Sequence, residues 1–266
     1  MDQTKFDTPI GEKAGLRRKE DYSYWTEMSN ILNQFNHSYQ HLLEQWPTYV
    51  RRMHLTRFIA HYELFKQTID LPGCIVELGV YRGASFFTWS KLMETFNTTD
   101  RRKKVFGFDH FKGLTNFHDK DGAMDPSDGK KIGGFDSIPV KEEIERLVEL
   151  HNFDNLISGV ERCRIIEGNI MDTIPKFLIN NSGLRISLLH LDMDLYEPTK
   201  FALEKLYPLV VNGGLVVFDE YGLIPWQGES TAVDEYFSSI GERPKIIKMP
   251  FSTQPHGYFV KGASEL

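Results

Sequence analysis

Cysteine is nearly absent: Cys74 and Cys163 are the only two in 266 residues. Two thiols so far apart give neither a zinc-ligand spacing nor a disulfide framework. Each lies inside an apolar run that reads as a strand, so both are expected to be buried free thiols. The chain also lacks any apolar run near the roughly 18–20 residues that span a bilayer. Its opening is polar, without the apolar core of a signal peptide, so a cytoplasmic protein with no membrane partner is expected. A basic excess is missing too: 31 Lys and Arg stand against 37 Asp and Glu, a net charge of −6. That balance excludes the basic footprint of a nucleic-acid binder. The short basic clusters at 17–19 and 101–104 are expected to be solvated faces. Neither an internal repeat nor a low-complexity tract occurs.

What is present, 41% hydrophobic and 13% aromatic residues, suffices for one sizeable α/β domain with an appended segment. Residues 1–70 are expected to form a helical extension and 71–266 the main domain. Pro9 and Gly11 mark a turn in the polar start. Tyr24, Trp25, Met28, Ile31, Leu32 and Phe35 recur at helical spacing, which predicts a helix over Tyr22–Glu44. Pro47 breaks it, and a second helix is predicted over Thr56–Ile69. Here Tyr49, Arg51, Arg52, His54 and Arg57 mix aromatic rings with cations. They suit a lid over a substrate, or a face packed on the domain or on another subunit. The aromatic helices point to a homo-oligomer.

Beyond residue 70, seven short runs read as strands: Cys74–Gly79, Val105–Phe108, Cys163–Glu167, Ile186–Leu191, Leu215–Phe218, Lys245–Met249 and His256–Lys261. Helical spacing fills most gaps between them, which predicts a mostly parallel, Rossmann-like sheet with an antiparallel last strand. Two of the runs end in acids, Ile186–Leu191 in Asp192 and Asp194, Leu215–Phe218 in Asp219 and Glu220. Adjacent parallel strands lie about 5 Å apart. Both acid pairs would then emerge at the carboxyl edge, where ligands bind in open α/β sheets. Four converging carboxylates repel, and a hard divalent cation such as Mg²⁺, Mn²⁺ or Ca²⁺ relieves that repulsion. Taken singly, each acid reads as well as a helix cap or a solvated side chain.

The first strand leads into a glycine loop and a helix, the start of a nucleotide-type fold. The loop is Gly79-x-x-x-Gly83, not G-x-G-x-x-G, and Glu77 stands two residues before it. A carboxylate there opposes a diphosphate and favours a ligand carrying an ammonium group. S-adenosylmethionine has no phosphate and carries both an ammonium and a sulfonium. Asp109 ends the second strand, placed to accept hydrogen bonds from ribose hydroxyls. After the third strand come Gly168, Asn169 and Ile170; Asn169 suits a hydrogen bond to adenine and Ile170 packing on its face. The long segment 115–139, with His118 and Phe135, is expected to be a flexible cover over the same edge.

Five stretches together carry a resemblance: VELGVYRG at 76–83, FGFDHFKGL at 106–114, EGNIMDTIP at 167–175, LDMDLYEPT at 191–199 and NGGLVVFDEYG at 212–222. Over about residues 70–262 the chain resembles the macrocin O-methyltransferase family, class I enzymes that use S-adenosylmethionine to methylate sugar hydroxyls. The resemblance implies a class I methyltransferase fold of seven strands, and S-adenosylmethionine and Mg²⁺ as cofactors. It implies donor contacts from Glu77, Gly79, Val80, Tyr81, Gly83, Ser85, Asp109, Gly168, Asn169, Ile170 and Asp192. It implies Asp192, Asp219 and Glu220 as metal ligands and Asp194 as the base, with Asp192 beside it in catalysis. Family members often carry a second aspartate in place of Glu220 and a serine in place of His110. The acceptor implied is a small molecule or a glycoside. A metal-dependent catechol or phenol O-methyltransferase shares this logic. An NAD-dependent oxidoreductase is opposed by Glu77 and the missing glycine, and a non-catalytic scaffold by the retained acids.

Overall fold

Strand β1 (Cys74–Leu78) is apolar on both faces apart from Glu77, and such a strand is stable only at the centre of a sheet covered on both sides. The computed structural model describes residues 12–126 and 129–263. In it β1 lies between β2 (Val105–Asp109) and β4 (Ile186–Leu191), parallel to both. Strands β3 (Cys163–Glu167) and β5 (Val210–Phe218) extend the parallel sheet, and β6 (Gly257–Val260) runs antiparallel beside β5. The order is β3-β2-β1-β4-β5-β6.

Nine α-helices lie among the described residues: α1 (Glu12–Phe35), α2 (Tyr39–Glu44), α3 (Trp46–Tyr49), α4 (Arg52–Lys66), α5 (Ala84–Phe96), α6 (Lys141–Phe153), α7 (Ile170–Asn180), α8 (Tyr196–Leu206) and α9 (Gln227–Ser239). Alternation along the strands sorts them into two layers. Val76, Leu78, Leu189 and Leu191 pack with Ile174 of α7, Leu203 of α8 and Phe237 of α9. Ile75, Leu188 and Val217 face the other way, onto Phe65 of α4, Trp89 of α5 and Ile144 of α6. No helix among the described residues is long and apolar enough to cross a membrane.

Three expectations change. The sheet has six strands, because the run Lys245–Met249 shrinks to a single bridge between Ile247 and Tyr258. Prolines at 244 and 250 bracket that run, and each removes a ladder donor. The helix expected over Tyr22–Glu44 breaks at 36–38, where Asn36 takes φ 43° and the Ser38 hydroxyl accepts from His41 N to start α2. Within the basic cluster 101–104, Lys103 is buried and its Nζ donates to the carbonyls of Thr68 (2.8 Å) and Leu71 (3.1 Å). The turn at Pro9 and Gly11 lies outside the described residues, as do the side chains of 17–19. Both cysteines are free, Cys163 buried and Cys74 half-buried.

Candidate active site

A cavity of about 500 Å³ opens at the carboxyl ends of β1, β2, β4 and β5. One wall is the glycine loop. Gly79 takes φ +88°, and a Cβ there would fall 1.7 Å from the Asp192 carbonyl oxygen, so only glycine fits between β1 and β4. Asp109 secures this loop. Its Oδ2 accepts from Val80 N (2.8 Å) and Tyr81 N (2.7 Å), and its Oδ1 from Phe111 N (2.6 Å). Asn169 accepts from Met171 N and caps α7, while Gly168, Asn169 and Ile170 line the cavity. Tyr81, Gly79, Val80 and Ser85 also line it. Gly83 starts α5 at φ +83° behind them.

Glu77 is elsewhere. The two-residue period of β1 turns its carboxylate from the cavity toward α5, where it is fully buried. It accepts from Ser85 Oγ (2.9 Å) and meets His190 Nδ1 at 3.2 Å. His190 is its register partner on β4, and His61 and Trp89 pack over the imidazole at ring distances of 5.8 and 5.9 Å. The other imidazole nitrogen lies 3.5 Å from Asp219 Oδ1, an ionic contact rather than a hydrogen bond. Burial alone would lower the His190 pKa, but Asp219 and Glu77 outweigh it and push it up to about 10.

The acids face the glycine loop across the cavity. Leu191 pairs with Phe218 in register, so Asp192 and Asp219 leave neighbouring strands side by side, with Asp194 and Glu220 close behind. Asp194 takes φ 63°, and Tyr81 and Phe135 on the same cavity also have positive φ. Backbone strain of this kind gathers where side-chain direction matters. Burial and the neighbouring charges of Asp192 and Asp219 hold the Asp194 carboxyl well above the usual range. Glu220 is raised in the same way, by burial and then Asp194. Burial and Asp219 bring Asp192 up to about 7. Asp219 goes the other way: burial would raise it, but Arg57 and His190 hold it well below the carboxylate range.

Arg57, from α4, reaches into this hollow. Its Nη2 lies 3.1 Å from Asp192 Oδ2 and 3.1 Å from Asp219. Its Nη1 donates to Gln254 Oε1 (3.1 Å), and Gln254 Nε2 donates to Glu220 Oε1 (3.0 Å). Glu220 Oε2 is buried with no hydrogen-bond partner. The residues fit a hard divalent cation. Four carboxylates face one guanidinium and one imidazolium, one buried carboxylate oxygen is orphaned, and ligand atoms of His190, Asp192 and Asp219 lie within 4.8 Å of one another. His190 Nδ1 is taken by Glu77, and the oxygen donors that could hold such a cation are Asp192, Asp219 and Glu220.

The described residues of the segment 115–139, namely 115–126 and 129–139, pack on the rest of the domain. Phe135 meets Tyr81 and Trp226, each at 5.9 Å, and joins Leu114, Phe117, Leu195 and Leu223 in an apolar cluster. Buried Asp121 accepts from His118 N and Tyr196 N, each at 2.7 Å. Lys130 Nζ donates to the Asp121 and Pro225 carbonyls. Lys120 joins Glu235 at 2.5 Å and Tyr196 Oη at 3.1 Å. Phe135 lines the cavity; His118 instead caps a short turn and packs on Tyr196.

Two residues of the site escape the sequence reading, and a third, Arg57, is named there without its target. His190 was hidden in an apolar run, although a histidine two residues before Asp192 inside a buried strand is itself a signal. Arg57 stood among five candidates without a target, and Gln254 lay in a turn far along the chain.

The family model described as macrocin O-methyltransferase matches residues 17–248. Over 208 residues the chain is 28% identical to a demethyldecarbamoylnovobiocin O-methyltransferase of Streptomyces niveus, covering 76% of this chain and 73% of that protein. It is 28% identical over 182 residues to a tetracenomycin-pathway rhamnosyl 4'-O-methyltransferase of Streptomyces olivaceus, covering 67% of this chain and 65% of that one. Among solved structures, a calicheamicin methyltransferase superposes with a TM-score of 0.82 at 26% identity, over 92% of this chain and 93% of that one. These matches set aside the oxidoreductase and scaffold readings. With the family model covering most of its length, the chain belongs to the macrocin O-methyltransferase family and is an S-adenosylmethionine-dependent O-methyltransferase.

Proposed function

We propose that this enzyme methylates a hydroxyl of a sugar, carried by a natural product or a related saccharide. Relatives named for methylating novobiocin, tetracenomycin and mycinamicin precursors support that acceptor class. The observation that carries the reading is the opposition of two walls in one cavity, a glycine loop and four carboxylates. In it Gly79–Tyr81 and Ser85, Asp109 and Gly168–Ile170 hold the methyl donor, and Asp192 borders both substrates. Glu77 supports the donor wall from behind through Ser85.

A sugar hydroxyl is a weak acid, so the missing element is a base. Asp194 takes that role: it lines the cavity beside Asp192 at the end of β4, facing the donor wall. As the acceptor oxygen forms its bond to the methyl carbon, Asp194 accepts the hydroxyl proton. The sulfur leaves with the electron pair of the broken S–C bond, and S-adenosylhomocysteine is released. Mg²⁺, held by Asp192, Asp219 and Glu220, would supply positive charge that lowers the pKa of the acceptor hydroxyl. Much of the remaining acceleration is alignment. In the N-terminal extension of 1–70, α4 packs Leu64 and Phe65 on the catalytic domain of 71–266 and covers the cavity with His54 and Arg57. The extension's exposed Tyr39 and Leu43 are offered to a second copy of the chain.

The test is an acceptor panel of nucleotide-linked sugars, glycosides and catechols, run with Asp194→Asn and with chelator. Methylation of sugars, S-adenosylhomocysteine binding retained by Asp194→Asn and turnover lost by about 100-fold or more are expected. Chelator is expected to stop turnover and Mg²⁺ to restore it. Preference for catechols overturns the acceptor; wild-type turnover by Asp194→Asn overturns the base; full activity in chelator overturns the metal.

A further inference from the structure

Each carboxylate assigned above to Mg²⁺ is held by one side chain of the N-terminal extension. Arg57 Nη2 bridges Asp192 and Asp219 at 3.1 Å each, and Nη1 reaches Glu220 through Gln254. A Mg²⁺ ion sits about 2.1 Å from its oxygen ligands. A guanidinium nitrogen between two carboxylates and a cation bonded to the same oxygens therefore claim the same place. The competition is over position as much as charge. The arginine is also incompletely satisfied where it lies, since its buried Nε has no hydrogen-bond partner. A buried donor left unpaired favours any alternative that pairs or exposes it.

We propose that Arg57 is a positioning residue that serves as the built-in counter-ion of the metal-free site, and that a divalent cation must displace it to bind. The proposal rests on the metal reading above. It makes α4 part of the metal equilibrium. With the cation absent, Arg57 ties α4 to the ends of β4 and β5. With the cation bound, that tie is released, while Leu64 and Phe65 keep the rest of α4 packed in the core. Metal affinity is then lowered by the work of moving the arginine, a coupling between two ligands of one cluster.

The experiment is Mn²⁺ binding to the full-length enzyme, followed calorimetrically and by paramagnetic resonance, in wild type, Arg57→Gln and Arg57→Lys. Removal of the competitor is expected to tighten Mn²⁺ binding by about tenfold or more in Arg57→Gln. Arg57→Lys keeps the charge but not the planar fork, so an intermediate gain is expected. It also serves if Arg57→Gln folds poorly. Wild-type binding with equal or weaker binding in both variants overturns the role of Arg57 and leaves the metal reading intact. Absence of Mn²⁺ binding in wild type and variants alike overturns the metal reading, and this proposal with it.

Discussion

Asp109→Asn is the sharpest probe of the donor wall, because it keeps shape and removes charge. The carboxylate now accepts three backbone N–H groups, from Val80, Tyr81 and Phe111, at 2.6–2.8 Å. An amide has one accepting oxygen. If that oxygen stays with Val80 and Tyr81, the amide NH₂ confronts the Phe111 N–H, donor against donor. One charge-assisted bond is lost and two fall to neutral strength. Such bonds contribute about 1.5–3 kcal/mol each when charged and about 1 when neutral. Asp109 is only half-buried, so screening reduces the total to about 2–3 kcal/mol. In urea that is a fall in midpoint of roughly 1 M. Loosening the loop also weakens S-adenosylhomocysteine, by about tenfold for each 1.4 kcal/mol that falls on the bound state. Urea melts and calorimetric titration read the two effects separately. An unchanged midpoint with weaker binding would mean that the carboxylate acts on the ligand alone, and the anchoring argument fails.

Gly79→Ala would force a methyl group into the Asp192 carbonyl at a backbone angle that disfavours it. The strain spreads β1 from β4, and a melting temperature lower by about 10 °C is expected; a variant melting with wild type refutes the close approach. Glu235 supplies a pH test. Its carboxyl is held down to about 2, first by Lys120 and then by Tyr196. A depressed folded value contributes stability in full above the unfolded carboxyl value near 4.5, lost as pH falls from there through about 2. The wild type should therefore lose stability more steeply than Glu235→Gln between those limits, and parallel acid melts would contradict the pairing.

Much of the sheet was legible because its signals are local. Apolar runs of four to six residues, each followed by glycine or acid, mark β1, β2, β4 and β5, and the crossover helix between the last two makes them neighbours. Asp192 and Asp219 meet as that adjacency required. Glu77 faces Ser85 and His190 for a reason the sequence does contain: it is one residue out of phase with Leu78, and the pleat decides which way it faces. Lys103 and Arg57 are different. Nothing within several residues of either tells a buried cation from a solvated one, since their partners lie 32 or more positions away. The glycines and charges of 115–139 suggest a flexible cover. The described residues there are held by Asp121, Lys130 and Phe135, whose partners sit on later helices and turns.

Arg57 and Gln254 touch across 197 positions of sequence. Arg57 stands before β1 and Gln254 just before β6, so the strap over the acids is drawn from either side of the sheet. A fragment ended short of Gln254 would keep Arg57 on Asp192 and Asp219 but lose the amide that joins it to Glu220. Such a piece would forfeit more than its edge strand: half of the buckle over its reactive centre would be missing.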